Sequence, residues 1–301
     1  MSERKPGDSN YNTRRYLDSL MIETRYIDSV SASTAFTLFG ERFETPIMTS
    51  PLSHLDTFAR PGGMRDLAQG AKDAGAVMWM GMAELPEVEA CADTGARIIE
   101  IIKPYADRDE IYKRIEQAQK LNLLAVGLDI DFVYDKDGEA KNFHGNPLRE
   151  VTSSELKELA EYAAASHLPF IVKGVLSTTD AIKASEAGVS GMVVSHHGYS
   201  MEFAVPPLFM LPMLVHHPDL AGQTYFVDCE IQTGMDAYKA MALGAKGVCI
   251  GRPLMAAIRE NGAEGVTNYL REATKQLKKV MIGTGCATLA DISEEVIYQV
   301  L

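Results

Sequence analysis

Eight short apolar runs, rich in Val, Ile, Leu and Met, recur along this chain with amphipathic stretches between them. They begin near Pro46, Ala76, Ile98, Leu123, Pro169, Gly191, Thr224 and Lys246. Runs of this kind are the pattern of strands buried on both faces, the condition of a parallel sheet covered by helices. The starts lie about 22 to 46 residues apart, room for a strand, a helix and two short loops. Eight βα units predict an α/β fold, a closed (β/α)8 TIM barrel rather than an open doubly wound sheet. A barrel uses about 250 residues as one domain, so the 301 residues read as a single domain, 1–301.

Helix starts fall in register with the strands. Thr152-x-x-Glu155, Ser177-x-x-Asp180, Thr233-x-x-Asp236 and Thr288-x-x-Asp291 have the spacing of capping boxes. Gly188 and Gly244 stand where two helices should stop. Two segments break the rhythm. Residues 1–45 form an N-terminal extension, expected across the barrel bottom or against a neighbour. Residues 132–152, polar and carrying two glycines, are expected to form a long loop at the mouth of the fourth strand.

Composition narrows the partners. The net charge of −12 offers no basic footprint for nucleic acid. No apolar run is long enough for a membrane span, and the polar start lacks a signal-peptide core. Cys91, Cys229, Cys249 and Cys286 have no CxxC spacing. That fits free thiols in a reducing, cytoplasmic setting and gives no metal site.

Barrel chemistry sits at the C-terminal strand ends. That rule selects Pro51 and Ser53 after strand one, Met80 to Met82 after two, and Glu100 with Ile102 on three. It continues with Asp129 and Asp131 after four, Lys173 after five and Ser195 to Gly198 after six. Asp228 to Gln232 after seven and Gly251-Arg252 after eight complete the set. A buried lysine such as Lys173 needs an anion or a carbonyl substrate, and an ion pair inside the barrel would satisfy it equally. Of His196 and His197, neighbours on a strand face opposite ways, so one should meet the mouth and serve as a general base, with Asp129 to orient it. Gly251-Arg252 has the position of a phosphate site, glycine allowing close approach and arginine supplying a fork of donors.

The segments IVKGVLSTTDAIKASEAGVSGMVVSHHG and FVDCEIQTGMDAYKAMALGAKGVCIGRP resemble the FMN-dependent α-hydroxy acid oxidase and dehydrogenase family. That family includes glycolate oxidase, lactate oxidase and the flavin domain of flavocytochrome b2. The likeness is strong from about His167 to Ile292, with the late GTGCATLADI, and fainter from Arg25 through FGERFETPIMTSP to LLAVGLDID. It implies a (β/α)8 barrel with FMN across the mouth, a small-molecule substrate and a homo-oligomer, often a tetramer. Lys173 matches the lysine at the flavin's N1/O2 edge, and Ser195 a serine bonded to the cofactor. His197 matches the base that takes the substrate proton while hydride passes to the flavin, and Asp129 the aspartate paired with it. Asp228, Gly251 and Arg252 match cofactor positions, the last two at the phosphate. Pro51, Leu52 and Ser53 match the loop whose backbone faces the flavin.

The departures cluster on the substrate side. Ser200 stands where the family carries the arginine that clamps the substrate carboxylate, and Lys136 falls near a second family arginine. Ile102 replaces a substrate tyrosine, and Glu100 the neighbouring glutamine. Met82 replaces a flavin-facing serine and Gly127 a threonine. In the phosphate loop, Cys229-Glu230 replaces a glycine pair and Gln232 an arginine. A carboxylate beside a phosphate dianion is unfavourable unless Glu230 turns away or pairs with Arg252. The resulting expectation is an FMN-dependent oxidoreductase acting on a 2-hydroxy acid or a related, atypical hydroxylated molecule. The alternatives are an FMN-binding barrel without turnover, or a flavin-free aldolase or isomerase using Lys173 as a Schiff-base nucleophile.

Overall fold

The computed structural model describes residues 7–135, 137–143, 145–198 and 201–300. The eight apolar runs become β1 Ile47–Thr49, β2 Met78–Met80, β3 Ile98–Ile102, β4 Ala125–Asp129, β5 Phe170–Val175, β6 Gly191–Val194, β7 Tyr225–Val227 and β8 Gly247–Ile250. They pair in parallel in the order β1-β8-β7-β6-β5-β4-β3-β2. The ring closes between its end strands. Thr49 N donates to Val77 O at 3.3 Å, Gly81 N donates to Leu52 O at 2.8 Å, and Leu52 bridges Met80 in parallel. The fold is the expected TIM barrel.

Strand parity divides the core. Met48, Val77, Trp79, Ile99, Ile101, Ala125, Ile171, Val193, Phe226 and Cys249 pack inside the ring. Ile98, Ile102, Val126, Leu128, Val172, Val194 and Val227 belong to the layer between sheet and helices. Trp79 meets Phe226 edge-on at 5.1 Å and donates its indole N–H to Met48 Sδ, so the large rings fill the axis. Two residues further along, the inward parity reaches Lys103, Asp129, Lys173, Ser195 and Asp228, at the C-terminal mouth.

The caps follow the sequence with one exception. Thr152–Glu155 and Thr233–Asp236 form reciprocal boxes at the helices Ser153–Ala164 and Gly234–Ala242. Ser177 caps the helix Thr178–Glu186. Thr288–Asp291 also closes a box, but it opens only a single 3₁₀ turn, Leu289–Asp291. Gly188 and Gly244 adopt positive φ just past their helices.

The N-terminal extension splits between the two ends of the barrel. The hairpin Phe36–Leu38/Glu41–Phe43 floors it, with Phe36, Leu38 and Phe43 joining the inner core. The helix Ser9–Ser19, capped by Asp8, lies instead at the mouth, where Asn10 donates to Gly198 O at 2.7 Å. This corrects the expectation for its first third: Asn10, Thr13 and Arg14 on that helix reach Gly198, His196 and the Glu230 carbonyl at the loop ends. Among the described residues no helix is long and apolar enough to cross a membrane.

The final helix, Arg252–Gly283, breaks at Asn261 and Gly262 and wraps the start of Gly234–Ala242. A Cβ on Gly234 would fall 2.0 Å from Ala273 O and 2.3 Å from Leu277 N, both backbone atoms that cannot rotate away. Gly234→Ala should therefore cost at least about 1–3 kcal/mol of stability, as overpacking does. The check is a lowered thermal unfolding midpoint, and an unchanged midpoint would show that the two helices have slack.

Candidate active site

A cavity of about 470 Å³ opens at the mouth, lined by Ser50, Pro51, Leu52, Lys173, His197, Asp228, Glu230, Gln232, Gly251 and Arg252, among others. Nine of these ten were expected from the sequence. A larger hollow of about 800 Å³ lies outside the ring near Arg14, Lys239 and Glu272. It gathers surface charges and, of the strand-end residues, only Gln232, so the mouth cavity is where the chemistry converges.

Lys173, 3% exposed, is the centre of that convergence. Its Nζ is 3.5 Å from Asp129 Oδ1, 3.8 Å from Asp228 Oδ2, 3.4 Å from Ser195 Oγ and 3.2 Å from His197 Nδ1. Burial favours the neutral amine, but Asp129, Asp131 and Asp228 outweigh it and hold the ammonium charged well above the ordinary lysine range. Asp129 is buried, yet Lys173, Lys103 and His197 keep its carboxylate ionised far below the usual value. Lys103, inward-facing after β3, reaches Asp129 Oδ2 at 2.5 Å.

His197 follows β6 with φ +55, so it has left strand geometry. Its backbone N–H donates to Ser195 Oγ at 3.0 Å. Its Nδ1 lies 2.8 Å from Asp131 Oδ1 and 3.3 Å from Asp129 Oδ1. The Asp131 contact is a hydrogen bond to a carboxylate when Nδ1 carries the proton, and in that tautomer Nε2 is the acceptor. Among the described residues Nε2 makes no hydrogen bond, while the residue lines the cavity. Burial and Lys173 depress the imidazolium, but Asp129 and Asp131 prevail, and its pKa lies above the ordinary value. Phe132 stacks on the ring at 4.4 Å and 13°. His196 faces the other way, buried, with Nε2 2.8 Å from Thr13 Oγ1. The two histidines divide as expected.

Asp129 was expected to orient His197. The nearer carboxylate is Asp131, and Asp129 is committed mainly to the two lysines. Gly174 makes this possible: it takes φ +98, and a Cβ there would sit 2.4 Å from Asp131 Cγ. The residue after Lys173 must be glycine for the second aspartate to reach the histidine. Asp129, Asp131 and His197 lie close enough to share a cation, but Lys173 and Lys103 already supply the countercharge there.

Several expected residues stand elsewhere. Glu100 and Ile102 have the outward parity of β3. Ile102 is in the helix-facing core, and Glu100 is buried with Arg114 at 3.5 Å, its pKa raised by burial to about 7 against that arginine. The inward residue is Lys103: an assignment one position off in a strand reverses the face. Met82 lines a different hollow with His54, Tyr105 and Phe143. Ser53 is not among the cavity's lining residues and packs on Gly81, where a Cβ would meet its Oγ at 2.4 Å. Ser195 is buried behind the lining, 3.6 Å from Cys229 Sγ. Lys136 and Ser200 lie outside the described residues.

Sequence reading missed Lys103, the role of Asp131, and Phe132 with Lys141. Two signals pointed to them. Lys103 continues the alternation of Ile99 and Ile101, and Asp131 is two residues beyond Asp129. Lys141 had no signal: its Nζ sits 3.2 Å from the centre of the Phe132 ring, and that of Lys103 4.0 Å, a contact created by the folded loop.

A barrel whose mouth gathers a buried ammonium, an acid-paired histidine and a glycine-arginine turn has the parts of an enzyme site that binds an anionic ligand beside an acid–base group. A profile of the FMN-dependent dehydrogenases matches residues 5–154 and 136–299. Glycolate oxidase 1 of Oryza sativa subsp. indica is 30% identical, covering 90% of this chain and 82% of its own. Glycolate oxidase of Spinacia oleracea is 28% identical over 89% and 81%. Among solved structures, mandelate oxidase superposes with a TM-score of 0.85 at 24% identity, covering 99% of this chain and 91% of that one. A mutant of mandelate oxidase with a C4a-OH-FMN adduct gives 0.84 at 25%, over 99% and 92%. The chain belongs to the FMN-dependent dehydrogenase family, and it is an oxidoreductase whose cofactor is FMN.

The cavity suits that group. Its volume is in the range of small-molecule sites, and its deep end offers the Lys173 ammonium between backbone walls at Ser50–Leu52 and Gly251. At the other end Arg252 is the cation available to a phosphate, and it is paired with Glu230 at 2.8 Å.

Since two carboxylates hold the His197 proton, NMR titration of its ring should place the midpoint above about 6.5. Removing one favours the neutral ring, so Asp131→Asn should move the midpoint down. An unmoved midpoint would return the orienting role to Asp129.

Proposed function

We propose that this chain oxidises a 2-hydroxy acid, or a related hydroxylated small molecule, with His197 as general base. The observation that carries the reading is the His197 side chain, its Nδ1 2.8 Å from Asp131 Oδ1 and its ring lining the cavity beside Lys173; with the proton on Nδ1, Nε2 is the base. The substrate hydroxyl gives its proton to Nε2 as its carbon gives up hydride, leaving a carbonyl. FMN, when bound, supplies the acceptor for that hydride. Asp131 and Asp129 stabilise the imidazolium that forms, and Phe132 covers one face of the ring and fixes its plane. Lys173 keeps a positive charge at the deep end of the cavity.

The substrate's own charge needs a partner. Lys103 and Lys141 bracket Phe132 next to His197. They supply a positive field where the resembling family uses arginine. Lys103 is consumed by Asp129, which leaves Lys141, half-buried, as the ammonium for a carboxylate. Burial and Lys103 both lower its pKa, and an arriving anion would relieve that repulsion. An ammonium gives a point charge rather than a two-pronged grip, which suits a substrate held less rigidly than by arginine.

A Schiff-base reading of Lys173 is disfavoured by its surroundings. Three carboxylates keep the nitrogen protonated, and an ammonium has no lone pair with which to attack a carbonyl. We extend the proposal to a cytoplasmic homo-oligomer. Its supports are the four free thiols and the apolar pair Phe209 and Met213, exposed one turn apart on the same helix.

His197→Ala should retain bound FMN and lose flavin reduction by a factor of about 10²–10⁴, the range for a missing general base. Normal flavin bleaching by hydroxy acids in that variant, followed anaerobically in the visible spectrum, would remove the base assignment. Lys141→Met should raise KM for a 2-hydroxy acid by about tenfold, the loss of one charged contact, with little change in kcat. A fall in kcat at constant KM would place Lys141 in catalysis instead.

A further inference from the structure

Arg252 begins the last helix with its side chain 60% exposed, yet its guanidinium is already engaged. Its Nη2 lies 2.8 Å from Glu230 Oε1 and donates to Asn10 Oδ1 at 2.7 Å. The second oxygen of Glu230 accepts from Gln232 Nε2 at 3.0 Å. The Glu230 side chain is only 11% exposed and lines the same cavity as Arg252. So the carboxylate faces inward while the arginine closes over it from outside.

The backbone holds it there. Cys229 and Glu230 take φ +69 and +60 in succession, a conformation that residues with a Cβ rarely adopt. Arg14 Nη1, from the N-terminal helix, donates to the Glu230 carbonyl at 3.0 Å, and Arg14 is itself anchored on Asp236 at 2.9 Å. Asn10 ties that helix to both Arg252 and Gly198. Two strained residues and four tethers are a built arrangement, beyond what a drifting surface carboxylate would have.

We propose that Glu230 is an internal anion seated on the arginine that would otherwise take the phosphate of FMN. The inference rests on the FMN reading above. Glu230 takes the Nη2 edge of Arg252 and is held there by Gln232, and a carboxylate left in place would repel a phosphate dianion. FMN therefore docks by displacing Glu230, and the chain gains little from the phosphate. It discriminates weakly between FMN and riboflavin, which share the ring and ribityl chain and differ in that charge.

The test is to titrate the flavin-free protein with FMN and with riboflavin, following quenching of flavin fluorescence. Wild type, Glu230→Gln and Glu230→Ala are compared, with circular dichroism to confirm folding. Glu230→Gln should tighten FMN by roughly tenfold or more, on the scale of a recovered charge-assisted contact, and leave riboflavin within about twofold. Glu230→Ala should do the same, and it covers the chance that the amide still occupies the guanidinium. If both variants bind FMN no better relative to riboflavin than wild type, Glu230 does not compete and the proposal fails alone. If neither flavin binds wild type or variants, the cofactor reading fails with it.

Discussion

The chemistry of this barrel depends on one buried cation. The Lys173 ammonium is almost wholly removed from water, a situation tolerated only when opposing charges surround it. Asp129, Asp131 and Asp228 supply them from the ends of β4 and β7. Removing any one of them shifts the balance of charge inside the ring, so the three strand ends are bound into one electrostatic unit. His197 joins it through Nδ1, and Lys103 balances the surplus carboxylate. The cavity thereby gets a fixed ammonium and an imidazole of fixed orientation from the same set of contacts.

The two ends of the cavity are organised on different principles. At the deep end, strand residues of inward parity converge because closing the ring forces them together, and Gly174 removes the Cβ that would keep Asp131 away. At the outer end, loop residues hold their positions by hydrogen bonds to the N-terminal helix. Asn10 and Arg14 reach the arginine and the Glu230 backbone, so a segment outside the barrel helps set the shape of the anion seat. Beside His197 lies the loop after β4, whose Phe132 stacks on the imidazole and has two lysines at its ring.

The chain belongs to the FMN-dependent dehydrogenase family, and its cavity holds Lys173 and His197 at the deep end and Gly251-Arg252 at the outer one. Lys103 and Lys141 beside the Phe132 ring, and Glu230 at the outer end, set the balance of charge a ligand would meet: two ammoniums sit near His197, and the guanidinium is held by a residue of the chain itself.

Much of this was legible in the order of residues. Eight apolar runs predicted the eight strands to within two residues of their starts, because a strand buried on both faces leaves no alternative to a continuous apolar run. The strand ends then named Lys173, His197, Asp228 and Arg252 as neighbours, since closure of a barrel brings those ends to one rim. Facing was harder. Glu100 and Ile102 were placed on the wrong side of β3, because one residue reverses a strand's face and a run of isoleucines hides which side is inward. Only the folded chain decided that Asp131 approaches His197 more closely than Asp129, that Lys141 reaches Phe132, and that Glu230 turns onto Arg252. Those contacts depend on side-chain directions and left-handed loop residues, set by packing between segments remote in sequence, and no local pattern encodes them.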